Sequence, residues 1–330
     1  MKFGPVEVDS AEGAILAHAV RPGSRILRKG TRLGPPELAM LRDGGIGAVT
    51  VARFEPGDVE EDAAARTVAE AVLGANVTIN PASTGRANLV AARSGLVEFD
   101  PAAIDALNQV SEHVTLATLP LLAPVEAGRM VATVKIIPFA VPSELLGRCA
   151  DAGQRARIRV LPFRPLAARL IHTTNPGLKD SVIAKTSTVT AERLRRLGGS
   201  LAGETRCPHD VGDLTSALAT ALEEDCDLLL VIGASAIVDR RDVIPAAIEA
   251  MGGSVERLGM PVDPGNLILI GSIGPVPVLG LPGCARSPAR NGLDWVLERI
   301  AAGVPVGADD VARMGVGGLL IGREEEKDYL

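Results

Sequence analysis

A chain of 330 residues with 47% hydrophobic and 22% charged residues has an ordinary globular balance, which excludes a disordered protein and gives room for two domains, each with its own core. Aromatics are only 2% and the net charge is −6, so stacking platforms and broad basic surfaces for nucleic acid are not expected, although a local pocket for a small anion stays open. The longest apolar window, Leu228 to Val238, lies between Asp227 and Asp239 and falls short of the ~20 residues that cross a bilayer, so no membrane partner is expected.

Cys149, Cys207, Cys226 and Cys284 lie far apart and form none of the short pairs that hold zinc, which reads as free thiols in a reducing cytosol. The first residues lack an apolar stretch after Lys2, so no secretory signal is visible and a cytoplasmic location is expected.

In chain order, residues 1–51 mix short extended patterns with turns, a helix between Pro36 and Gly44, and a strand at Ala48–Ala52. Glu60 to Leu73 reads as an amphipathic helix and Val77 to Asn80 as a strand. The loop Ala82–Leu89 then leads into an expected helix from Leu89 to Gly95. Arg86 in that loop either contacts an anion or simply caps or solvates a helix start. Asp100–Val110 is a helix with an Asp-Pro start, and Val114–Leu122 and Met130–Val141 are strands. Lys135, set among apolar neighbours, must snorkel, pair, serve a site or face water at a strand edge. A helix from Pro142 to Gly153 and a strand from Arg155 to Phe163 complete a strand-rich α+β domain over 1–165.

From Leu166 the pattern becomes regular, and 166–305 reads as an α/β domain. Strands are expected at Leu166–Thr173, Ser200–Arg206, Leu228–Ile232, Ser254–Met260, Leu267–Ser272 and Pro277–Leu281. Helices are expected at Asp180–Leu197, Val211–Glu224, Arg240–Met251 and Ser287–Ala302. This alternation implies right-handed crossovers and a mainly parallel, doubly wound sheet in three layers. Residues 306–330 read as an extension, ending in the charged tail Arg323–Leu330.

Two strand-to-helix junctions carry the chemistry. Leu228–Ile232 passes into Gly233, Ala234 and Ser235 before Asp239 and Asp242, and Val276–Leu281 passes into Pro282 and Gly283 before Ser287-Pro288, which reads as a cap and first helical position. Small residues at such turns let an anion approach the main chain, and two strand ends facing the same way would share one rim. Thr173, Thr174 and Lys179 border that rim after the domain's first strand. The turn Asp263-Pro264-Gly265 carries a carboxylate at its apex, and Arg286 could hold a phosphate. Asp239 and Asp242, three apart, could hold Mg²⁺ beside a phosphate or could cap a helix. Asn291 reads as helix surface, and His172 and His209 as ordinary polar residues. Gly233-Ala234-Ser235 lacks the glycine pattern of a nucleophile elbow.

The blocks Ile232–Ala236 with Asp242, Gly259–Gly265 and Gly280–Gly283, in this order and spacing, resemble the molybdopterin-binding fold of molybdopterin adenylyltransferases and molybdopterin molybdotransferases. The resemblance covers about half the chain, from about Leu166 onward. It departs where the family's paired glycines and threonine stand as Gly233-Ala234-Ser235, and where the usual asparagine stands as Cys284. It implies molybdopterin as ligand or substrate, with Mg²⁺ and with ATP, AMP or molybdate according to the reaction. Asp242 stands at the position of the family's aspartate and Asp239 is an extra one beside it; these would be the catalytic and metal residues. Thr173, Thr174, Lys179, Gly233, Ala234, Ser235, Asp263, Pro264, Gly265, Pro282, Gly283, Arg286 and Ser287 would bind the cofactor. It also implies a homo-oligomer, and either adenylyl transfer or molybdate insertion in molybdenum cofactor biosynthesis. A noncatalytic carrier acting with a partner nucleotidyltransferase domain or molybdoenzyme is the alternative, and a nucleotide pyrophosphatase or amidase on the same fold is a third.

Overall fold

A computed structural model of the chain describes residues 1–320; the charged tail expected at Arg323–Leu330 lies outside them. The chain divides into two units, Met1–Val160 and Leu161–Leu330. No helix among the described residues is long and apolar enough to cross a membrane, and all four cysteines are free.

The N-terminal unit begins with β1 (Lys2–Glu7), β2 (Ile15–Leu16), α1 (Pro35–Asp43) and β3 (Ala48–Arg53), the strands ordered β1-β3-β2. Leu16, Leu33, Leu41 and Val51 bury themselves together there in a core of their own. The rest of the unit comprises β4 (Asp58–Glu60), α2 (Glu61–Val72), β5 (Val77–Ile79), β6 (Arg86–Ala91), β7 (Gly95–Glu98), α3 (Pro101–Val110), β8 (Val114–Thr118), β9 (Pro124–Val125), β10 (Met130–Ile136), β11 (Ala140–Pro142), α4 (Ser143–Gly153) and the first half of β12 (Arg159–Pro162). Its main sheet runs β5-β6-β10-β8, every pairing antiparallel. Asp100 starts α3 as expected, its side chain accepting the Ala102 N–H while Pro101 supplies a pre-set φ.

The helix expected at Leu89–Gly95 is instead the strand β6, and the physical reason lies just before it. Thr84 and Gly85 both take positive φ, 52° and 69°, and Ser83 and Arg86 exchange backbone bonds of 3.0 and 3.1 Å. That is a two-residue hairpin turn, which feeds an alternating strand with Ala87, Leu89 and Ala91 buried. A short apolar run cannot by itself separate the two periods. The single strand expected over Met130–Val141 likewise breaks into β10 and β11 around Pro138, which has no N–H to donate to a ladder. Lys135 proves to be a brace for the hairpin: its Nζ donates to the Thr84 carbonyl at 2.7 Å and lies 3.6 Å from the Glu61 carboxylate. Arg86 donates to Thr133 Oγ1 at 3.3 Å on the neighbouring strand, not to a helix start.

The C-terminal unit holds β13 (Ala167–Thr174), α5 (Asp180–Arg196), β14 (Ser200–Pro208), α6 (Val211–Glu223), β15 (Leu228–Ile232), α7 (Val243–Ala250), β16 (Ser254–Leu258), β17 (Leu269–Ile273), β18 (Val276–Leu281), α8 (Gly292–Ala301) and α9 (Ala308–Ala312). The sheet order is β14-β13-β15-β18-β17-β16. The first four strands pair in parallel, while β17 runs antiparallel to both β18 and β16, so the sheet is mixed. A tight turn at Gly274, with φ +57°, joins β17 to β18 without a crossover, which fixes their antiparallel sense. Along β15 the pleat divides the core: Leu228, Leu230 and Ile232 pack with Leu194 and Val296, whereas Leu229 and Val231 pack with Leu218 and Ile248.

Two expected helix starts shift. α7 begins at Val243, not Arg240, with Asp242 as its cap. α8 begins at Gly292, and its cap is Asn291, not Ser287. The Asn291 carboxamide accepts the Leu293 N–H at 3.0 Å and the Asp294 carboxylate accepts the Asn291 N–H at 2.7 Å. Asn291 is therefore a buried structural residue, contrary to its reading as helix surface. Residues Gly283–Arg286 form a short 3₁₀ turn that ends at Ser287.

Candidate functional site

The parallel register aligns the strand ends. His172 lies opposite Ile232, and Ile232 opposite Leu281, so Gly233 and Pro282 leave the sheet side by side at one edge, next to Thr173, which stays paired with Cys207 on β14. Gly233 and Gly283 thus belong to loops on the same rim, where a parallel sheet leaves a crevice beyond its carboxyl ends. The two loops are tied together: Arg286 Nη2 donates to the Gly233 carbonyl at 3.1 Å. A side chain at Gly233 would collide with the Ser235 carbonyl, which accounts for glycine there.

Arg286 is half-buried, and its Nε is buried with no acceptor among the described residues. No carboxylate lies within ion-pair distance of it among those residues either, and burial pushes its pKa below the ordinary guanidinium value. The result is a cation held at the rim without a counter-charge among the described residues.

The loop after β15 is braced by a hydroxyl and an imidazole. The Ala234 N–H donates to Thr173 Oγ1 at 3.0 Å, Thr173 Oγ1 lies 2.7 Å from His209 Nδ1, and His209 Nε2 lies 3.1 Å from Ser235 Oγ. Thr173 is fully buried and Ser235 exposed. The Ala234 amide is accordingly engaged within the protein, not turned outward as the small-residue turn suggested. Further along, Asp239 Oδ1 accepts the backbone N–H of Arg241 at 2.9 Å and its Nε at 3.0 Å. The Arg241 side chain is the chief reason that the Asp239 pKa is lowered. Asp242 accepts the N–H groups of Val243 and Val238.

The loop after β18 is braced from beneath by a residue the sequence reading passed over. Arg193 on α5 is buried and donates to the carbonyls of Ala285 at 2.8 Å, Ser287 at 2.6 Å and Ala289 at 3.0 Å, and its Nε pairs with Asp294 at 2.9 Å. The available signal was its spacing: Ile183, Thr186, Thr190, Arg193 and Leu194 form the buried face of one helix. Cys284, in the same loop, has its thiol pushed up chiefly by burial.

Asp263-Pro264-Gly265 joins this wall. The Gly292 N–H donates to the Pro264 carbonyl at 2.8 Å, and a Cβ on Gly265 would stand 2.7 Å from Gly292 Cα. Thr174 Oγ1 donates to the Cys207 carbonyl at 3.1 Å, and Lys179 is exposed at the start of α5. His172, expected to be an ordinary polar residue, is buried within β13 with Nε2 3.1 Å from Ser187 Oγ. Burial lowers its pKa, against the opposing pull of Glu204. Among the described residues no three His, Cys, Asp or Glu side chains gather to hold a metal ion.

Comparison with known proteins agrees on the class of this unit. Residues 170–302 match a family described as a probable molybdopterin binding domain. That match falls on the same region whose loop residues resemble the molybdopterin-binding fold. Residues 5–53 match a second family, described as a domain of unknown function. Among solved structures, the molybdopterin biosynthesis moea protein from Pyrococcus horikosii aligns with 91% of this chain and 75% of its own, at 15% identity and a TM-score of 0.31. A molybdenum cofactor biosynthesis protein from Pyrococcus furiosus aligns with 92% of this chain and 66% of its own, at 14% identity and a TM-score of 0.27. A molybdopterin biosynthesis protein from Mycobacterium abscessus aligns with 42% of this chain and 92% of its own, at 16% identity and a TM-score of 0.29. No curated protein sequence matches the chain.

Proposed function

We propose that this chain acts in molybdenum cofactor biosynthesis and that residues 166–305 bind molybdopterin or its nucleotide form at the strand-end rim, in a three-layer, doubly wound domain. The observation that carries the reading is Arg286: a half-buried guanidinium beside Gly233, without a carboxylate partner among the described residues, inside the matched domain. A cation taken out of water and left unpaired is costly, and an anionic group brought to the rim offsets that cost. In this reading Arg286 holds the pterin's terminal phosphate, Ser235 and Ser287 add hydroxyl donors, and Asp263 pairs with the pterin's amide and amino groups.

The donor set fits Mg²⁺, which takes one or two carboxylates together with phosphate oxygens and water. Asp239 is exposed and Asp242 half-buried, and the backbone bonds on the Asp242 oxygens leave each a second lone pair. These two residues would hold the ion, which supplies charge neutralisation on the phosphate. The chain's own part in adenylyl transfer or molybdate insertion is to position the phosphate and stabilise its charge. The carrier reading is favoured by one observation: Asp239 is already paired with Arg241. Release of AMP or formation of adenylylated pterin separates the two readings, because a carrier produces neither.

Calorimetry with molybdopterin tests the site. Arg286→Gln is expected to weaken binding about ten- to a hundredfold, the effect of losing a charged hydrogen bond. Asp242→Asn should abolish the magnesium dependence. Unchanged affinity in Arg286→Gln removes the rim as the binding site.

A further inference from the structure

The chain of polar groups beneath Ser235 has an order that follows from counting donors and acceptors. Thr173 Oγ1 accepts the Ala234 N–H, and its own proton needs an acceptor in a strand end fully closed to water. His209 Nδ1, 2.7 Å away, is the acceptor the described structure provides. An imidazole that accepts at Nδ1 carries its proton on Nε2, and this proton points along the 3.1 Å contact to Ser235 Oγ. Ser235 then accepts from His209, so its own hydroxyl proton is directed elsewhere. Ser235 is exposed and follows Gly233, whose carbonyl receives Arg286. The sequence places these groups on three separate segments: Thr173 is the last residue but one of β13, His209 follows β14, and Ser235 follows β15.

We propose that His209 is a positioning residue that fixes the Ser235 hydroxyl as a hydrogen-bond donor to the anionic group held at the rim, through the ordered chain Ala234 N–H, Thr173 O–H, His209 Nε2–H and Ser235 O–H. The proposal rests on the rim being a molybdopterin site. A serine hydroxyl left to rotate offers an acceptor as readily as a donor; one that already accepts from His209 offers its proton. A phosphate that carries no proton of its own requires that polarity.

Two measurements test it, one with ligand and one without. In the first, molybdopterin is titrated by calorimetry into wild type, Ser235→Ala, His209→Ala and the double variant. Each single change is expected to raise Kd about tenfold, and the double variant no further, since His209 acts through Ser235. His209→Gln, whose amide can still donate toward Ser235, should recover part of the loss. In the second, ¹⁵N shifts of the imidazole in ligand-free wild type should report the proton on Nε2, and Thr173→Val should abolish that preference. Independent, multiplying effects of the two changes, or a proton found on Nδ1, overturn the relay. Failure of wild type to bind molybdopterin, with the Nε2 proton in place, overturns the ligand reading and leaves the proton order established.

Discussion

The two loops of the rim are built from opposite materials. Residues 282–291 rest on a buried cation: the Arg193 fork collects three carbonyls and the Asp294 carboxylate, and Asn291 closes the turn into α8. Residues 233–242 rest on the Thr173 hydroxyl and the His209 imidazole, and end in an aspartate that caps its own helix. A charged anchor whose three nitrogens are all engaged fixes a wall. A chain of hydroxyls and imidazole instead passes a donor outward, because each member gives as well as takes. The first arrangement suits holding shape and the second suits meeting a ligand.

The contrast can be broken most severely at Arg193. Arg193→Ala should lower stability by about 3–5 kcal/mol in urea unfolding, since it strands Asp294 and three carbonyls. Removing the hydroxyl brace should cost less: Thr173→Val leaves the Ala234 N–H and His209 Nδ1 unmet, for about 1–3 kcal/mol by the same assay. Asn291→Ala removes the helix cap and the Nδ2 bonds to the Cys284 and Ala289 carbonyls and should cost about 0.5–2 kcal/mol. At the small end, Asp239→Asn changes an exposed ion pair, and stability should move by less than about 1 kcal/mol, so any large effect on ligand binding would be separable from folding.

A pH profile sharpens the same comparison on the charged side. Glu298 on α8 pairs with Arg290 at 2.8 Å, yet burial outweighs that attraction and pushes its pKa up to about 7. The folded state therefore holds this proton over a range where the unfolded chain has released it. Its contribution to stability is fully present below about pH 4.5 and is lost as pH rises through about 7. Urea midpoints between pH 4 and 8 should show this downward slope in wild type, and Glu298→Gln should remove it.

Much of this could be read in the chain. Residues Leu228–Ile232, a short buried run between aspartates, mark the central strand, and the loops that follow β15 and β18 stand out by their small residues. What escaped had physical causes. The hairpin at Thr84-Gly85 was hidden because threonine seldom takes positive φ, so the alternation after it was mistaken for a helix. Ser287-Pro288 imitated a helix start, and only the buried Asn291, with Asp294 three residues on, revealed where α8 begins. Arg193 and His209 were missed for a different reason: each acts on groups that are remote in sequence, and local pattern carries no record of what a long side chain will meet.

Gly265 and Gly292 have a consequence for how these two loops can vary. With a Cβ on Gly265 only 2.7 Å from the backbone of Gly292, and one on Gly292 2.5 Å from Met260 Sδ, neither position has space to grow independently of its neighbours. The acidic bend and the first turn of the last long helix are in effect one machined joint, so a homologue reshaped to admit a bulkier guest would have to alter both halves together.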